Sequence, residues 1–350
     1  MPPQVQDLLT EATRQGASDL HLVSWSPPIM RLNGTLVPMD MAQLTPQDLA
    51  PMILGLLNEE QRNRFGRDWE LDLSLTLRNV GRFRVNVHRQ RGAIEAAFRI
   101  VTDRIRTIRQ LGLPPIIEEL ARRESGLILI TGPTGSGKST TLAAMIDQIN
   151  QERRCMIVTI EDPIEYVFRH RNSIIKQREL GIDTRSFAVA LRESLRQDPD
   201  VIVVGEMRDL ETIATALTAA ETGHLVLTTI HTPDVVQTVD RVVDVFPPHQ
   251  QEQIRMQFAN TIQGIIAQQL LPITGGQGRV AACEVLVATL AVRKILRSAK
   301  AEQLHTALQT GTELGMITMD KSLKLLYQRG LISLDMALAK ARFPESFEHI

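Results

Sequence analysis

The sequence predicts an α/β protein with two domains: a mixed α/β domain, then a doubly wound parallel-sheet domain that ends in a helical region. The chain has 350 residues, enough for about two domains at roughly 150 residues each. Its first hundred residues combine short alternating strands with helical spacing, whereas the later apolar runs are continuous and β-branched. Continuous apolar runs separated by helices are typical of parallel strands that are covered on both faces.

The change of pattern falls at a charged stretch that contains Gly112 and runs into Pro114-Pro115. These residue types favour a linker between domains. After Thr289 the apolar spacing is helical, as in VRKIL and MDKSLKLLYQRG. The predicted segments are an N-terminal α/β domain, a linker, a parallel α/β domain and a C-terminal helical region, at 1–100, 101–113, 114–288 and 289–350.

The N-terminal domain is predicted to begin with a helix over VQDLLTEA, followed by a strand at SDLHL. Asn33-Gly34 lies between two apolar runs and favours a type I′ hairpin, because both residue types tolerate positive φ. Thr45 followed by Pro46 predicts the start of a helix, and Asn58 is predicted to cap the next helix. A second hairpin is predicted at 79–81, between the alternating segments LDLSLTL and RFRVNVHRQ.

The second domain contains four predicted parallel strands, GLILIT, MIVTI, VIVVG and HLVLTTI, at 126–131, 156–160, 201–205 and 224–230. A crossover helix is predicted from Ser186 to Gln197, because its apolar residues keep helical spacing and Pro199 stops it. Alternation of buried strands and helices gives a doubly wound sheet.

The composition is that of an ordinary globular chain. With 43% hydrophobic and 23% charged residues the chain is not expected to be disordered, and a formal charge of −1 excludes strong whole-chain attraction to nucleic acid or anionic lipid. Cys155 and Cys283 have no neighbours in disulfide or zinc spacing. Because neither a signal peptide nor an apolar run of about 18 residues is present, we expect a cytoplasmic protein without an integral membrane segment.

Residues 132–139 read GPTGSGKS and match the phosphate-loop pattern G-x-x-x-x-G-K-[ST]. The motif follows an apolar strand and opens a helix, the context in which backbone N–H groups surround phosphate oxygens. Lys138 is predicted to contact the β and γ phosphates, and Ser139 to bind Mg²⁺. The predicted nucleotide-binding residues are Gly132, Thr134, Gly135, Ser136, Gly137, Lys138, Ser139 and Thr140.

Acidic residues follow two other predicted strands. Glu161, Asp162 and Glu165 come after MIVTI, and Glu206 comes after VIVVG. Because the carboxyl ends of parallel strands meet at one edge of a sheet, these acids are expected to face the same crevice as the phosphate loop. Glu206 is the better candidate for binding Mg²⁺ and orienting water. For each acid alone, the alternative is a solvated strand end or a helix cap.

Two histidines, His224 and His231, flank the fourth predicted strand. Their separation of seven residues does not match a metal-binding motif. His231 is either a structural residue at a strand end or a sensor of the γ-phosphate, and His224 is the weaker candidate of the two.

The strand RFRVNVHRQ contains no acidic residue and places Arg82 and Arg84 on the face opposite Phe83. Three interpretations stay open: a solvated sheet face, an arginine finger that reaches a nucleotide on a neighbouring subunit, or a nucleic-acid contact. The nucleic-acid interpretation is disfavoured because Phe83, the aromatic residue of this strand, is predicted to point inward.

Several motifs together identify a resemblance: SDLHL followed by PPIMR, then GRFRVN, GPTGSGKST, TIEDPIEY, LRQDPDVIVVGEMRDLET and AAETGHLVLTTIHT. They resemble the hexameric secretion and type IV pilus ATPases, and among these the pilus retraction branch, over nearly the whole chain. The resemblance implies a PAS-like N-terminal domain and a RecA-like P-loop ATPase domain. It also implies Mg²⁺-dependent hydrolysis of ATP that drives pilus retraction and twitching motility.

The same resemblance implies roles for individual residues. The acidic segment TIEDPIEY of that family contributes a catalytic glutamate, which falls on Glu165, and the Walker B glutamate falls on Glu206. The family's histidine motif falls on His224 and His231.

In such rings the N-terminal domain of one subunit packs on the ATPase domain of the next. The resemblance therefore favours Arg82 or Arg84 as the arginine finger, with Arg99 as a further candidate. Rotation of the N-terminal domains about the linker is the implied mechanical output.

Two features favour the retraction branch. Assembly and secretion members carry long additional N-terminal regions and a tetracysteine zinc site, whereas here the core begins near Met1 and the chain has two cysteines. The retraction branch also has a C-terminal helix with the motif A-I-R-N-L-I-R-E. The segment AVRKILRS resembles it, with Arg293 and Arg297 in register and departures at Lys294 and Ser298.

The implied partners are those of a pilus motor. The chain is expected to form a homohexamer that docks at the cytoplasmic face of the inner membrane. Its expected partners are a platform protein of that membrane and a paralogous motor ATPase. No nucleic acid is expected to bind. The alternatives are an accessory pilus or secretion ATPase, a nucleotide-gated scaffold with little turnover, and a nucleic-acid translocase.

Overall fold

A computed structural model describes residues 4–32, 34–102, 104–276 and 278–347. Within these residues the chain forms two compact units, each with its own sheet. The first unit consists of the chain up to Arg104 together with Glu165–Val167, and the second unit consists of the remainder. The predicted α/β class is confirmed.

In the described residues the first unit has a six-stranded antiparallel sheet. Its strands are β1 (Asp19–Leu22), β2 (Ile29–Leu32), β3 (Thr35–Pro38), β4 (Glu70–Leu77), β5 (Gly81–Gln90) and β6 (Ala93–Val101). They lie in the order β3-β2-β1-β6-β5-β4. The helices α1 (Val5–Arg14), α2 (Pro46–Leu54) and α3 (Glu59–Asp68) share a hydrophobic core with this sheet.

Capping residues account for the helix starts in this unit. The Thr45 side chain accepts a hydrogen bond from the Asp48 N–H, and the Asp48 carboxylate accepts one from the Thr45 N–H. Asn58 and Gln61 form the same reciprocal pair at the start of α3. Both predicted helix starts are confirmed.

The two predicted hairpins are present. Leu32 pairs with Thr35, which leaves a two-residue loop in which Gly34 has a φ of 88°, while Asn33 lies outside the described residues. The second hairpin joins β4 to β5, and Asn79 takes a φ of 65° in its turn. Strand β6 was not predicted, because its buried residues occur on both faces and the alternation is lost.

In the described residues the second unit has a seven-stranded sheet. Its strands are β7 (Gly126–Thr131), β8 (Met156–Glu161), β9 (Ile174–Glu179), β10 (Val201–Val204), β11 (Leu225–Ile230), β12 (Ile262–Pro272) and β13 (Arg279–Val287). They lie in the order β13-β12-β7-β11-β10-β8-β9, and the pairings are parallel except for β12 with β13.

Helices cover both faces of this sheet. They are α4 (Ile116–Ala121), α5 (Lys138–Glu152), α6 (Phe187–Ser194), α7 (Leu210–Glu221), α8 (Val235–Asp244) and α9 (Pro248–Thr261). Leu127 and Leu129 of β7 belong to one hydrophobic core, whereas Ile128 and Ile130 belong to the other. Since successive residues of a strand point to opposite faces, the sheet is doubly wound as predicted. Strands β9, β12 and β13 were not predicted, because polar residues interrupt their apolar runs.

The C-terminal region is helical, with α10 (Leu290–Arg297), α11 (Leu304–Thr310), α12 (Met319–Gln328) and α13 (Leu334–Lys340). Leu323 of α12 packs in one cluster with Leu271 of β12 and Ala282 of β13. Two residues of the predicted linker, Ile108 and Leu113, are buried in the core of the second unit. None of the described helices is both long and apolar enough to cross a membrane.

Candidate functional site

Four parallel strands of the second unit, β7, β11, β10 and β8, are consecutive neighbours and end at one edge of the sheet. Their last residues lie within two positions of one another, because the registers pair Thr131 with Ile230, Thr228 with Val204, and Val204 with Ile160. The phosphate loop follows β7, His231 follows β11, and Glu206 follows β10. With neighbouring strands about 4.8 Å apart, β11 carries His231 between the loop and Glu206.

The phosphate loop joins β7 to the 15-residue helix α5. Gly132 and Gly137 have φ of 143° and 90°, values that residues with a side chain rarely adopt. Gly137 is also the N-cap of α5, and it has no side chain to compete for the first N–H groups of the helix. The loop therefore has the helix N-terminal geometry that binds phosphate groups.

Lys138 occupies the first position of α5 and is only 7% exposed. Its Nζ donates hydrogen bonds to the carbonyl oxygens of Gly132 at 2.8 Å and Pro133 at 3.0 Å. The ammonium group thus lies against the backbone of the loop. Of the other predicted nucleotide-binding residues, Thr134 and Gly135 are exposed, Ser136 is buried, and Ser139 and Thr140 are half-buried.

The donor atoms at this edge suit a hard cation such as Mg²⁺. Ser139 offers a hydroxyl and Glu206 a carboxylate, and Mg²⁺ is usually bound by one or two protein oxygens together with water and phosphate oxygens. The buried Oγ of Ser136 has no hydrogen-bond partner among the described residues. The same residues contain no group of three or more His, Cys, Asp or Glu that would form a metal site from protein alone. These residues fit a magnesium ion that arrives with a nucleotide.

Glu206 contacts two basic side chains. Its Oε2 forms an ion pair with Nε of Arg208 at 2.8 Å and lies 3.3 Å from Nε2 of His231. The Glu206 side chain is 15% exposed, whereas that of Arg208 is 72% exposed. The structure thus brings together two predicted residues and adds Arg208, which sequence reasoning missed. The feature that could have predicted Arg208 is its position in GEMRD, two residues after the glutamate.

Threonine hydroxyls connect the phosphate-loop strand to the segment that carries His231. Oγ1 of Thr131, the last residue of β7, accepts a hydrogen bond from the Thr232 N–H at 3.1 Å and lies 2.6 Å from Oγ1 of Thr232. Oγ1 of Thr232 lies 2.7 Å from Oγ1 of Thr238 in α8. Sequence reasoning missed these residues. They attach the neighbour of His231 to the base of the phosphate loop.

The acids at the end of β8 and after it have different surroundings. Oε1 of Glu161 accepts hydrogen bonds from Oγ1 of Thr159 at 2.7 Å and from Nε2 of Gln177 at 3.0 Å, so this carboxylate is held by its own sheet. Glu165 belongs to the first unit, whereas the phosphate loop and Glu206 belong to the second.

His224 lies at the amino end of β11, away from the edge that carries the phosphate loop. Its Nδ1 lies 3.0 Å from the carbonyl oxygen of Ala219 and 3.2 Å from Oγ1 of Thr222, at the C-terminal end of α7. At about 3.3 Å per residue, β11 separates it from His231 by roughly 20 Å. As the sequence predicts, the two histidines flank one strand, and His224 lies at the end away from the phosphate loop.

The predicted alternation of β5 is confirmed, with Phe83 buried and Arg84 exposed. Arg84 pairs in register with Arg99 of β6. Nε of Arg99 donates a hydrogen bond to Oδ1 of the buried Asp19 at 3.0 Å. Although burial raises it, the hydrogen bonds from Ser18 and Arg99 leave the pKa of Asp19 below its ordinary value. Arg99 therefore has a partner within its own sheet.

The two arginines of AVRKILRS cap the end of α9. Nη1 of Arg293 donates hydrogen bonds to the carbonyl oxygens of Ala259 at 2.5 Å and Asn260 at 2.7 Å, and Nη2 of Arg297 donates one to Oδ1 of Asn260 at 2.7 Å. The last carbonyl groups of a helix lack partners within the helix, and a cation there is favourable. Burial, together with Arg297 and Arg123 nearby, lowers the pKa of Arg293.

We expect Arg293→Ala to lower the free energy of unfolding by about 1–2 kcal/mol, because two charge-assisted hydrogen bonds to the end of α9 are lost. Urea unfolding followed by circular dichroism measures this. Lys294→Ala, a change at the exposed neighbouring position, is the matched control and should stay within about 0.5 kcal/mol of wild type. Equal effects of the two substitutions would contradict the capping role.

Comparisons with known proteins bear on this site. A family model described as type II/IV secretion system protein matches residues 1–275. The type IV pilus retractation ATPase PilT of Pseudomonas aeruginosa is 45% identical over 98% of this chain and 99% of that protein. The twitching motility protein of Neisseria gonorrhoeae is 43% identical over 98% of this chain and 91% of its own length. A crystal structure of the pilus retraction motor PilT with bound ADP superimposes with a TM-score of 0.92 at 48% identity, covering 99% of this chain and all of that one.

Proposed function

The chain belongs to the type II/IV secretion system protein family, and from that membership we propose that it is an ATP-hydrolysing motor that drives type IV pilus retraction and twitching motility. The observation that carries the proposal is the similarity, over nearly the full length of both chains, to a pilus retraction ATPase. Supporting it, the phosphate loop, His231 and Glu206 follow neighbouring parallel strands of one sheet. Phosphoryl transfer needs this combination of a phosphate cradle, a fixed cation and an acid.

The proposed substrate is ATP, which is converted to ADP and phosphate. Backbone N–H groups between Gly132 and Thr140 bind the phosphates, and Lys138 counters the charge of the β and γ groups. Ser139 and Glu206 hold Mg²⁺, which when bound neutralises charge on the β- and γ-phosphate oxygens. Glu206 also orients the attacking water.

Glu165 is proposed as the general base, on the strength of its place in TIEDPIEY. His231 is proposed to report the state of the γ-phosphate, because it contacts Glu206 from the neighbouring strand. Arg82 or Arg84 is proposed as a finger that acts on the adjacent subunit.

The proposed working form is a homohexamer at the cytoplasmic face of the inner membrane. It docks on a platform protein of the pilus machine and works beside a paralogous motor ATPase. These partners follow from the proposed pilus function.

We expect Glu206→Gln and Glu165→Gln to fail in different ways. Glu206→Gln should bind ATP nearly normally but lose turnover and Mg²⁺ affinity, because the phosphate loop supplies most phosphate contacts while the metal-binding carboxylate is lost. Glu165→Gln should slow the chemical step and leave Mg²⁺ affinity unchanged. Steady-state turnover over a range of Mg²⁺ concentrations separates the two. Glu193→Gln, at an exposed acid that pairs with Arg196, is the matched control. Equal loss of Mg²⁺ affinity in both variants would show that the roles are divided wrongly.

Deletion of the gene in its host tests the proposed function. We expect pili that still form but no longer retract. Normal retraction would contradict the proposal and favour an accessory ATPase, to which the departures at Lys294 and Ser298 point.

Steady-state ATPase activity with and without single-stranded DNA or RNA, at one stated salt concentration, separates the remaining alternatives. Strong stimulation favours a translocase, and an assembled ring without turnover favours a scaffold.

A further inference from the structure

Gln268 lies on β12, directly beside the phosphate loop. Its neighbour Ala267 pairs with Thr131 at the end of β7, so Gln268 is level with the first residue of the loop. The residue is 2% exposed, and both ends of its amide are used. Nε2 donates a hydrogen bond to the Ser136 carbonyl oxygen at 2.7 Å, and Oε1 accepts one from Oγ1 of Thr141 at 2.8 Å.

The loop also packs on Gln268 at both of its ends. A Cβ atom added to Gly132 would lie 2.3 Å from the backbone oxygen of Gln268, and one added to Gly137 would lie 2.8 Å from its Nε2. At Gly132 the neighbour is backbone, so contact with Gln268 requires glycine there as well as the positive φ does. At Gly137 a larger residue would displace the Gln268 amide.

We propose that Gln268 is a positioning residue that sets the phosphate loop in its phosphate-binding form, an inference that rests on the proposed ATPase function. In a trans peptide the C=O and N–H groups point in opposite directions. Because Nε2 of Gln268 holds the Ser136 carbonyl, the N–H of Gly137 points away from Gln268. Backbone N–H groups of such a loop are the groups that bind phosphate. Gln268 thus fixes the direction of the Gly137 N–H, although Gln268 itself does not contact the phosphate.

Gln268→Glu tests this role. The substitution keeps the shape of the side chain and the acceptor for Thr141, but it puts an oxygen against the Ser136 carbonyl. We expect affinity for fluorescent ADP and ATP to fall by a similar factor, on the order of 10- to 100-fold, as for other residues that orient the direct partners of a ligand. The affinities for ADP and ATP should fall by similar factors, because the loop contacts phosphates that both nucleotides contain. Gln269→Glu makes the same chemical change at the next position of β12 and should bind within about threefold of wild type.

Thermal unfolding without nucleotide separates positioning from loss of fold. Gln268→Met, which is uncharged and of similar length, is the second variant and should repeat the loss of affinity with a melting temperature near that of wild type. Wild-type ADP affinity in a folded Gln268→Met protein would overturn the inference. Failure of both Gln268 variants to fold would overturn it as well, since a positioning residue is dispensable for the fold. A wild-type chain that binds neither nucleotide would instead refute the proposed function.

Discussion

Replacing Lys138 by alanine is expected to abolish ATP turnover, with a loss on the order of 10³-fold or more. The lysine is the fixed positive charge of the phosphate loop, and its Nζ lies within hydrogen-bond distance of the Gly132 and Pro133 carbonyl oxygens. Without it, no other lysine in the loop replaces the charge on the β and γ phosphates. Phosphate release at saturating ATP and Mg²⁺ measures the effect.

Lys300→Ala is the matched control for this experiment, because Lys300 is exposed outside the phosphate loop, directly before the 3-10 helix Ala301–Gln303. It should turn over ATP at the wild-type rate. Circular dichroism must show that the Lys138→Ala protein is folded. Wild-type turnover in that folded protein would refute the enzyme assignment.

Rings that mix two inactive subunits are expected to recover ATP turnover if Arg82 or Arg84 acts in trans. A Lys138→Ala subunit keeps its arginines, and an Arg82→Ala or Arg84→Ala subunit keeps its phosphate loop. Complete sites form where the first presents its N-terminal domain to the second. An arginine finger contributes on the order of 10³ to 10⁵ in turnover, so a minority of repaired sites gives a clear signal.

An isolated subunit with the arginine substitution should bind ATP like wild type, because the finger acts only in the assembled ring. Arg89→Ala is the matched control, since this arginine of the same strand lies over the Trp69 ring at 5.3 Å. Subunit exchange is followed independently by fluorescence energy transfer between labelled subunits. If mixed rings form from two inactive parents and stay inactive, Arg82 and Arg84 do not act in trans. They would then belong to a solvated sheet face or a docking surface.

Local signals in the sequence were enough to predict much of the fold. The starts of α2 and α3 follow from Thr45 and Asn58, because a capping residue acts on N–H groups only two or three positions away. Both hairpins follow from residues that tolerate positive φ. The phosphate loop follows from glycine spacing between a strand and a helix, which is again a local property.

Two of the strands that sequence reasoning missed, β6 and β12, contain a buried polar residue. Gln268 interrupts the apolar run of β12, and Glu95 interrupts that of β6, yet both side chains are buried. A buried polar residue is tolerated where partners exist, and those partners come from distant parts of the chain. Gln268 is bound to Ser136 and Thr141, more than a hundred positions away. Periodicity cannot reveal such partners.

Residue patterns were enough to predict the class of the fold, the phosphate loop and the family. Which side chains meet at the site depends on how the strands are arranged in the sheet. The order of strands places β11 between β7 and β10, so His231 reaches Glu206, whereas His224, at the other end of the same strand, does not reach that edge. Strand order arises from packing between segments far apart in the chain, so no local pattern encodes it.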